Sequence, residues 1–258
     1  METGMLQGKR RHIHLGGTAR SLEDVQALQK LGLQFAELPM TEGLSQEVEA
    51  YVELQDRLGM YYLCHGPREG DPNDTLGLKE VYFPKLVALF PLMQRLQASL
   101  LTIHLWLDHR FIKSDVLAFK VDLLREIIAH ARESGIRICL ENLSEGVLDF
   151  QVALDALPEL CLTLDLGHAQ LLTEVNRADA LLERYPERIR HIHLHDNRGG
   201  DTPRDDLHLP IGEGIIDFTG IFRTLGRIGY DRTITLELKP PEIEVSLPRV
   251  KALLALTA

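Results

Sequence analysis

Cysteine is scarce in this chain. Only Cys64, Cys139 and Cys161 occur, an odd number with no CxxC spacing and each inside an apolar segment. That pattern argues against disulfides and reads as reduced, buried thiols in a reducing compartment. Long hydrophobic runs are also missing. No stretch approaches the roughly 18 apolar residues of a membrane span, and the opening METGMLQGKRR has no apolar core of signal-peptide length. The expectation is a cytoplasmic protein with no membrane partner. Positive charge is in deficit, with 28 Lys and Arg against 38 Asp and Glu and a net charge of -10. A broad nucleic-acid footprint is therefore disfavoured, although a local basic patch remains compatible with that balance. Finally, no Ser/Pro-rich linker, sequence repeat or low-complexity tract divides the chain. Its 258 residues, 45% hydrophobic, read as one domain over 1–258 with a large core.

What is present is an alternation. Short apolar segments near 11–15, 33–38, 60–65, 100–105, 136–141, 160–165, 189–194 and 233–238 have the look of strands. Amphipathic segments near 21–31, 45–58, 77–98, 115–134, 147–156, 177–185, 217–228 and 246–256 have helical spacing. Eight βα units without a compositional break favour an α/β fold, a single (β/α)8 TIM barrel, over a doubly wound sheet.

Parity along the strands then points to chemistry. In such a barrel alternate residues face inward, and the last inward residue reaches the catalytic C-terminal mouth. With the aliphatics assigned outward, Glu141, Asp165, Glu237, His104 and His65 fall at inward strand ends, and Glu37 joins them if Phe35 faces in. The stretch 188–217 is denser still. His191, His193 and His195 share one parity in a run whose other face carries Ile192 and Leu194, and an Asp206-x-His208 pair follows on the next loop. Imidazoles and carboxylates gathered at the end of an apolar strand are costly to bury unless a cation pairs with them. A metal site is the economical reading. His12, His14 and His191 also suit the barrel floor or a supporting role, Asp108, His109 and Arg110 read as a solvated loop, and Gly212 and Gly214 read as turn residues.

These motifs resemble the xylose isomerase-like, endonuclease IV-like TIM-barrel superfamily, which includes sugar isomerases and epimerases. CLENLSE, LTLDLGH, HIHLHDN, DDLHLPIGEG and LELK stand in family order and spacing, and the resemblance covers nearly the whole chain. It implies that Glu141, Asp165, His193 and Glu237 ligate the metal of the sugar epimerases, a set suited to Mn, Co or Zn. The similarity to endonuclease IV adds His65, His104, His168, Asp206 and His208, which shifts the expectation towards zinc, with one to three ions in all.

Two chemistries follow from the resemblance. In an isomerase or epimerase, Glu141 and Glu237 serve as acid and base beside a metal-bound carbonyl. Substrate contacts are then expected from His168, Arg198, Arg204, Trp106, Glu37 and His14, and the partner is a small sugar or sugar phosphate. In an endonuclease IV-like zinc phosphodiesterase, the ions grip a phosphate and Glu141 bridges them. The segment after His65, REGDPND, is acidic and lacks an aromatic wedge, and Arg198 lies at a slightly different spacing from its epimerase counterpart. The sequence favours the sugar chemistry and leaves the oligomeric state open, a homo-oligomer included.

Overall fold

A computed structural model describes residues 12–257. The opening segment read above for a signal peptide, and residue 11 of the first expected strand, lie outside them. The strands are β1 (His14–Thr18), β2 (Phe35–Pro39), β3 (Tyr61–His65), β4 (Leu100–Ile103), β5 (Arg137–Glu141), β6 (Cys161–Asp165), β7 (Ile189–Leu194) and β8 (Thr233–Leu236). They close in sequence order into a parallel barrel, with β8 pairing back onto β1 through His14↔Thr233 and Gly16↔Thr235.

Helices fill the crossovers: α1 (Leu22–Lys30), α2 (Glu42–Leu58), the single turn α3 (Thr75–Gly77), α4 (Phe83–Arg95), α5 (Ser114–Glu133), α6 (Val147–Ala156), α7 (Ala178–Arg184), α8 (Phe218–Ile228) and α9 (Pro240–Leu254). Local chemistry sets their ends. Ser21 caps α1 by accepting from the Asp24 N–H, and Asp217 caps α8 by accepting from the Gly220 N–H. Gly59 and Gly229 end α2 and α8 in the left-handed conformation.

Three elements differ from the sequence expectation. β1 runs through Gly16 and Gly17 rather than ending near 15, because those glycines leave room for neighbours. A Cβ on Gly16 would sit 2.3 Å from the Phe35 ring inside the barrel, and one on Gly17 would sit 2.6 Å from Ile243 outside it. The helix expected over 77–98 is broken into α3, a π-helical turn at Leu78–Tyr82 and α4. α9 starts six residues before the expected 246, since Pro240 and Pro241 at its first turn are preset for helix entry.

Two apolar layers result. The larger core lies between the sheet and the helices, where the outward aliphatics of every strand pack. A small cluster of Phe35, Leu63, Leu100, Cys139 and Cys161, with Tyr61 against it, fills the barrel's lower interior. The three cysteines are buried and unpaired. Above this plug the inward side chains become polar.

Candidate active site

The upper interior begins where β5, β6 and β7 end. In register, Asp165 lies beside His193 and His193 beside Thr235, so consecutive strands deliver their side chains at one level. Glu237, one residue past β8, completes the ring. Around the single atom Nδ1 of His193 stand Glu141 Oε1 at 3.1 Å, Glu237 Oε1 at 3.4 Å and Asp165 Oδ2 at 3.8 Å. Glu141 and Asp165 are buried, at 1% and 0% exposure, and a bare cluster of that kind would cost several kcal/mol per charge.

A second grouping shares Glu141. Its Oε2 meets Nε2 of His65 at 3.0 Å and Nε2 of His104 at 2.9 Å. A third is built on the loops above. Asp206 Oδ2 lies 3.3 Å from His168 Nε2 and 3.2 Å from His208 Nε2, with His195 stacked on His208 at 3.9 Å. His208 holds φ at +45°, a left-handed backbone that a non-glycine residue adopts at some cost and that is frequent at functional sites.

The imidazoles are oriented as metal ligands are. His65 turns Nδ1 to the Gly66 carbonyl at 2.9 Å, His168 to the Asn142 carbonyl at 3.0 Å and His208 to the Glu237 carbonyl at 3.2 Å, each leaving Nε2 towards carboxylates. His193 is inverted. Its Nε2 points at Glu37, 3.1 Å from both oxygens, and its Nδ1 faces the acids. A ring N–H fixed by a carbonyl or carboxylate, with the other nitrogen free to ligate, is the usual support of a metal-bound histidine. Asp206 Oδ1 is buried without a hydrogen-bond partner among the described residues, an orphan acceptor that a cation would satisfy. The donor set of His65, His104, Glu141, Asp165, His168, His193, Asp206, His208 and Glu237 therefore fits divalent metal.

The charges agree. Burial pushes the Glu141 carboxyl up, but the adjacent His193 and His104 override it and hold the group well below the usual carboxylate range. Burial works against the charge of His65 and His208, yet their bonds to Glu141 and Asp206 lift them to about 9.

A cavity of about 830 Å³ opens over this floor and is lined by Glu37, His65, His104, Glu141, His168, Asp206, His208 and Glu237 among others. The other expected substrate contacts lie elsewhere. His14 begins β1 and bonds Tyr61 Oη at 2.8 Å at the barrel's opposite end. Trp106 donates its indole N–H to Ser144 Oγ at 2.9 Å and stacks on Phe111, away from the lining. Arg198 and Arg204 are exposed, and Arg198 reaches the Glu213 carbonyl rather than the cavity. The cations on the lining are Arg20, Arg68 and Lys85. Arg20 follows β1 and Arg68 follows β3, positions that barrel parity could have flagged, whereas Lys85 on α4 has no local signal.

The loop expected to be solvated is anchored. Asp108 is fully buried and binds Arg110 and Ser144, while buried Glu145 accepts backbone N–H groups of Leu107, Leu143 and Ser144. Buried Asp196 ties down Gly212 and Gly214 at 2.8 and 2.9 Å. These carboxylates stiffen the loops that carry the site.

Comparison with known proteins places the chain. The family profile described as "Xylose isomerase-like TIM barrel" matches residues 25–253. Uncharacterized protein MJ1311 of Methanocaldococcus jannaschii is 36% identical over 138 residues, which span 49% of this chain and 45% of that protein. Among solved structures, a D-tagatose 3-epimerase-like protein superposes with a TM-score of 0.81 at 22% identity, covering 95% of this chain and 98% of the other. L-ribulose 3-epimerase gives 0.78 at 14% identity and 95% coverage of each chain. At these identities the structural matches speak to shape, and the profile, spanning most of the sequence, establishes kinship: the chain belongs to the xylose isomerase-like TIM barrel family.

Proposed function

We propose that this protein is a divalent-metal-dependent isomerase or epimerase that moves a proton beside the carbonyl of a small sugar or sugar phosphate. The observation that carries the reading is the meeting of Glu141, Asp165 and Glu237 at His193 Nδ1 beneath a cavity large enough for a small ligand. Likeness in shape to epimerases of tagatose and ribulose supports it.

Glu141, Asp165, His193 and Glu237 would hold the principal ion, a Zn or Mn. Once bound, it supplies Lewis acidity that makes the C–H between a carbonyl and a hydroxyl easier to ionise. Glu141 arrives from β5 and Glu237 from the end of β8, so the two carboxylates approach the site from different parts of the barrel. One takes the proton from carbon and the other returns one to the opposite face, which inverts the centre with no net redox change. His168, on the lining, is available to a substrate hydroxyl.

The His65–His104 and His168–Asp206–His208 groupings favour a second reading, a zinc phosphodiesterase of the endonuclease IV type, in which those residues would hold further ions beside the one at Glu141 and His193. Elemental analysis, a ketose panel and an abasic-site duplex separate the two. Interconversion of a ketose and its epimer, lost in Glu237→Gln, supports the first. Cleavage of the duplex by protein holding about three zinc ions, with every ketose inert, overturns it.

A further inference from the structure

The cavity lining includes three cations, although the chain as a whole carries a net charge of -10. Arg20 from the β1–α1 loop, Arg68 from the segment after β3 and Lys85 from α4 all line it. None has a carboxylate partner among the described residues. Some cations elsewhere do find acids, as Lys79 does with Glu126, Lys120 with Glu69 and Arg227 with Glu183. Three cations without an acid partner on one cavity lining raise the local concentration of anions there.

A buried polar atom lies on the same cavity lining. Thr18, the last residue of β1 and two before Arg20, is 8% exposed, and its hydroxyl has no hydrogen-bond partner among the described residues. Buried hydroxyls are nearly always satisfied, so an orphan on a cavity lining points to a group supplied by a ligand. In register Thr18 lies beside Glu37, while Arg20, Arg68 and Lys85 come from the β1–α1 loop, the segment after β3 and α4.

We infer that Thr18, Arg20, Arg68 and Lys85 form an anion subsite that holds the phosphate of a phosphorylated sugar while its carbonyl end lies over Glu141 and Glu237. This deepens the sugar reading above and rests on it for the orientation of the substrate. Guanidinium groups suit the task, because they grip phosphate oxygens in pairs and stay charged at any working pH. Three cations on the lining of one cavity, rather than a long basic stripe, fit a terminal phosphate better than the backbone of a duplex.

The test is equilibrium binding to the full chain, with its metal content measured before and after. The probes are ribitol 5-phosphate and ribitol, which lack a carbonyl and cannot be turned over. The phosphate is expected to tighten binding by at least about 30-fold, a preference that weakens with added salt. Arg20→Ala with Arg68→Ala should weaken ribitol 5-phosphate by about 10- to 100-fold, and Thr18→Val by a few-fold, with Tm and metal content unchanged. A phosphate preference below about threefold, or one that survives the double variant, overturns the subsite. So does tighter binding of a short abasic-site duplex that the same double variant abolishes, since the cations would then serve a phosphodiester backbone. If ribitol 5-phosphate binds as expected but no ketose or ketose phosphate is epimerised, the subsite stands and the proton-transfer reading fails. Epimerisation without phosphate preference gives the converse.

Discussion

Glu37 offers the sharpest probe of how the centre is built. It is 1% exposed and accepts from His193 Nε2 at 3.1 Å and from His191 Nε2 at 3.0 Å, while His193 turns its other nitrogen to the three acids. Burial pushes the Glu37 carboxyl up, but the adjoining His193 and His191 override that and hold it well below its ordinary value. Glu37→Gln keeps the volume and removes the charge. The bond to His193 then falls from a charge-assisted one to a neutral one, a loss of about 1–2 kcal/mol. A carboxylate that orients a metal-bound histidine is worth about 10- to 100-fold in metal affinity, which is the same range of energy. Zinc affinity measured by competition with a chelating indicator should therefore fall about 10-fold or more, and Glu37→Asp should recover part of it. Affinity within about twofold of wild type would refute the claim that Glu37 sets the His193 tautomer.

Other perturbations test the surroundings. Burial lifts the Glu145 carboxyl from 4.5 to about 7 against the backbone N–H groups it accepts from. A raised folded-state pKa gives stability that is full below the unfolded value and is lost as pH rises through about 7, on the order of 3 kcal/mol. Glu145→Gln should flatten that slope in denaturant midpoints taken between pH 4.5 and 8, and an unchanged slope would assign the titration to another group. Gly16→Ala should lower Tm by on the order of 5 °C, because its Cβ would press on the Phe35 ring, and a neutral substitution would mean that the barrel floor yields. Arg198→Ala and Arg204→Ala should leave KM for any substrate within about twofold, since neither side chain is on the cavity lining. A rise of tenfold or more in KM would show that those loops close over the substrate.

The barrel was legible because its signals are local and repeated. Alternation in segments such as RICLE and CLTLD assigns inside and outside before any contact is known, and it put Glu141, Asp165 and His193 on the interior without reference to tertiary structure. Glycine hid the rest of β1, because a strand made of small residues has no hydrophobic period to read. The cavity wall was harder. Arg198 and Arg204 lie close to His193 in sequence, yet their long side chains turn outward, while Lys85 reaches the cavity from the next helix but one. Periodicity reports which face a residue occupies and says nothing about which of several loops folds over a mouth. Asp108 looks like a solvated loop acid in sequence, and only its bonds to Arg110 and Ser144 explain its burial.

Glu141 presents one oxygen to His193 and the other to His65 and His104. In the proposed metal reading, the number of ions held is consequently a trait that can drift without rebuilding the protein. Dropping the imidazoles of His65 and His104 would remove one grouping with its shared acid untouched, and regaining them would restore the larger assembly. A lineage built on this scaffold can cross between the chemistries of one cation and of several by single substitutions at the periphery, which is a physical route by which one barrel comes to serve unrelated reactions.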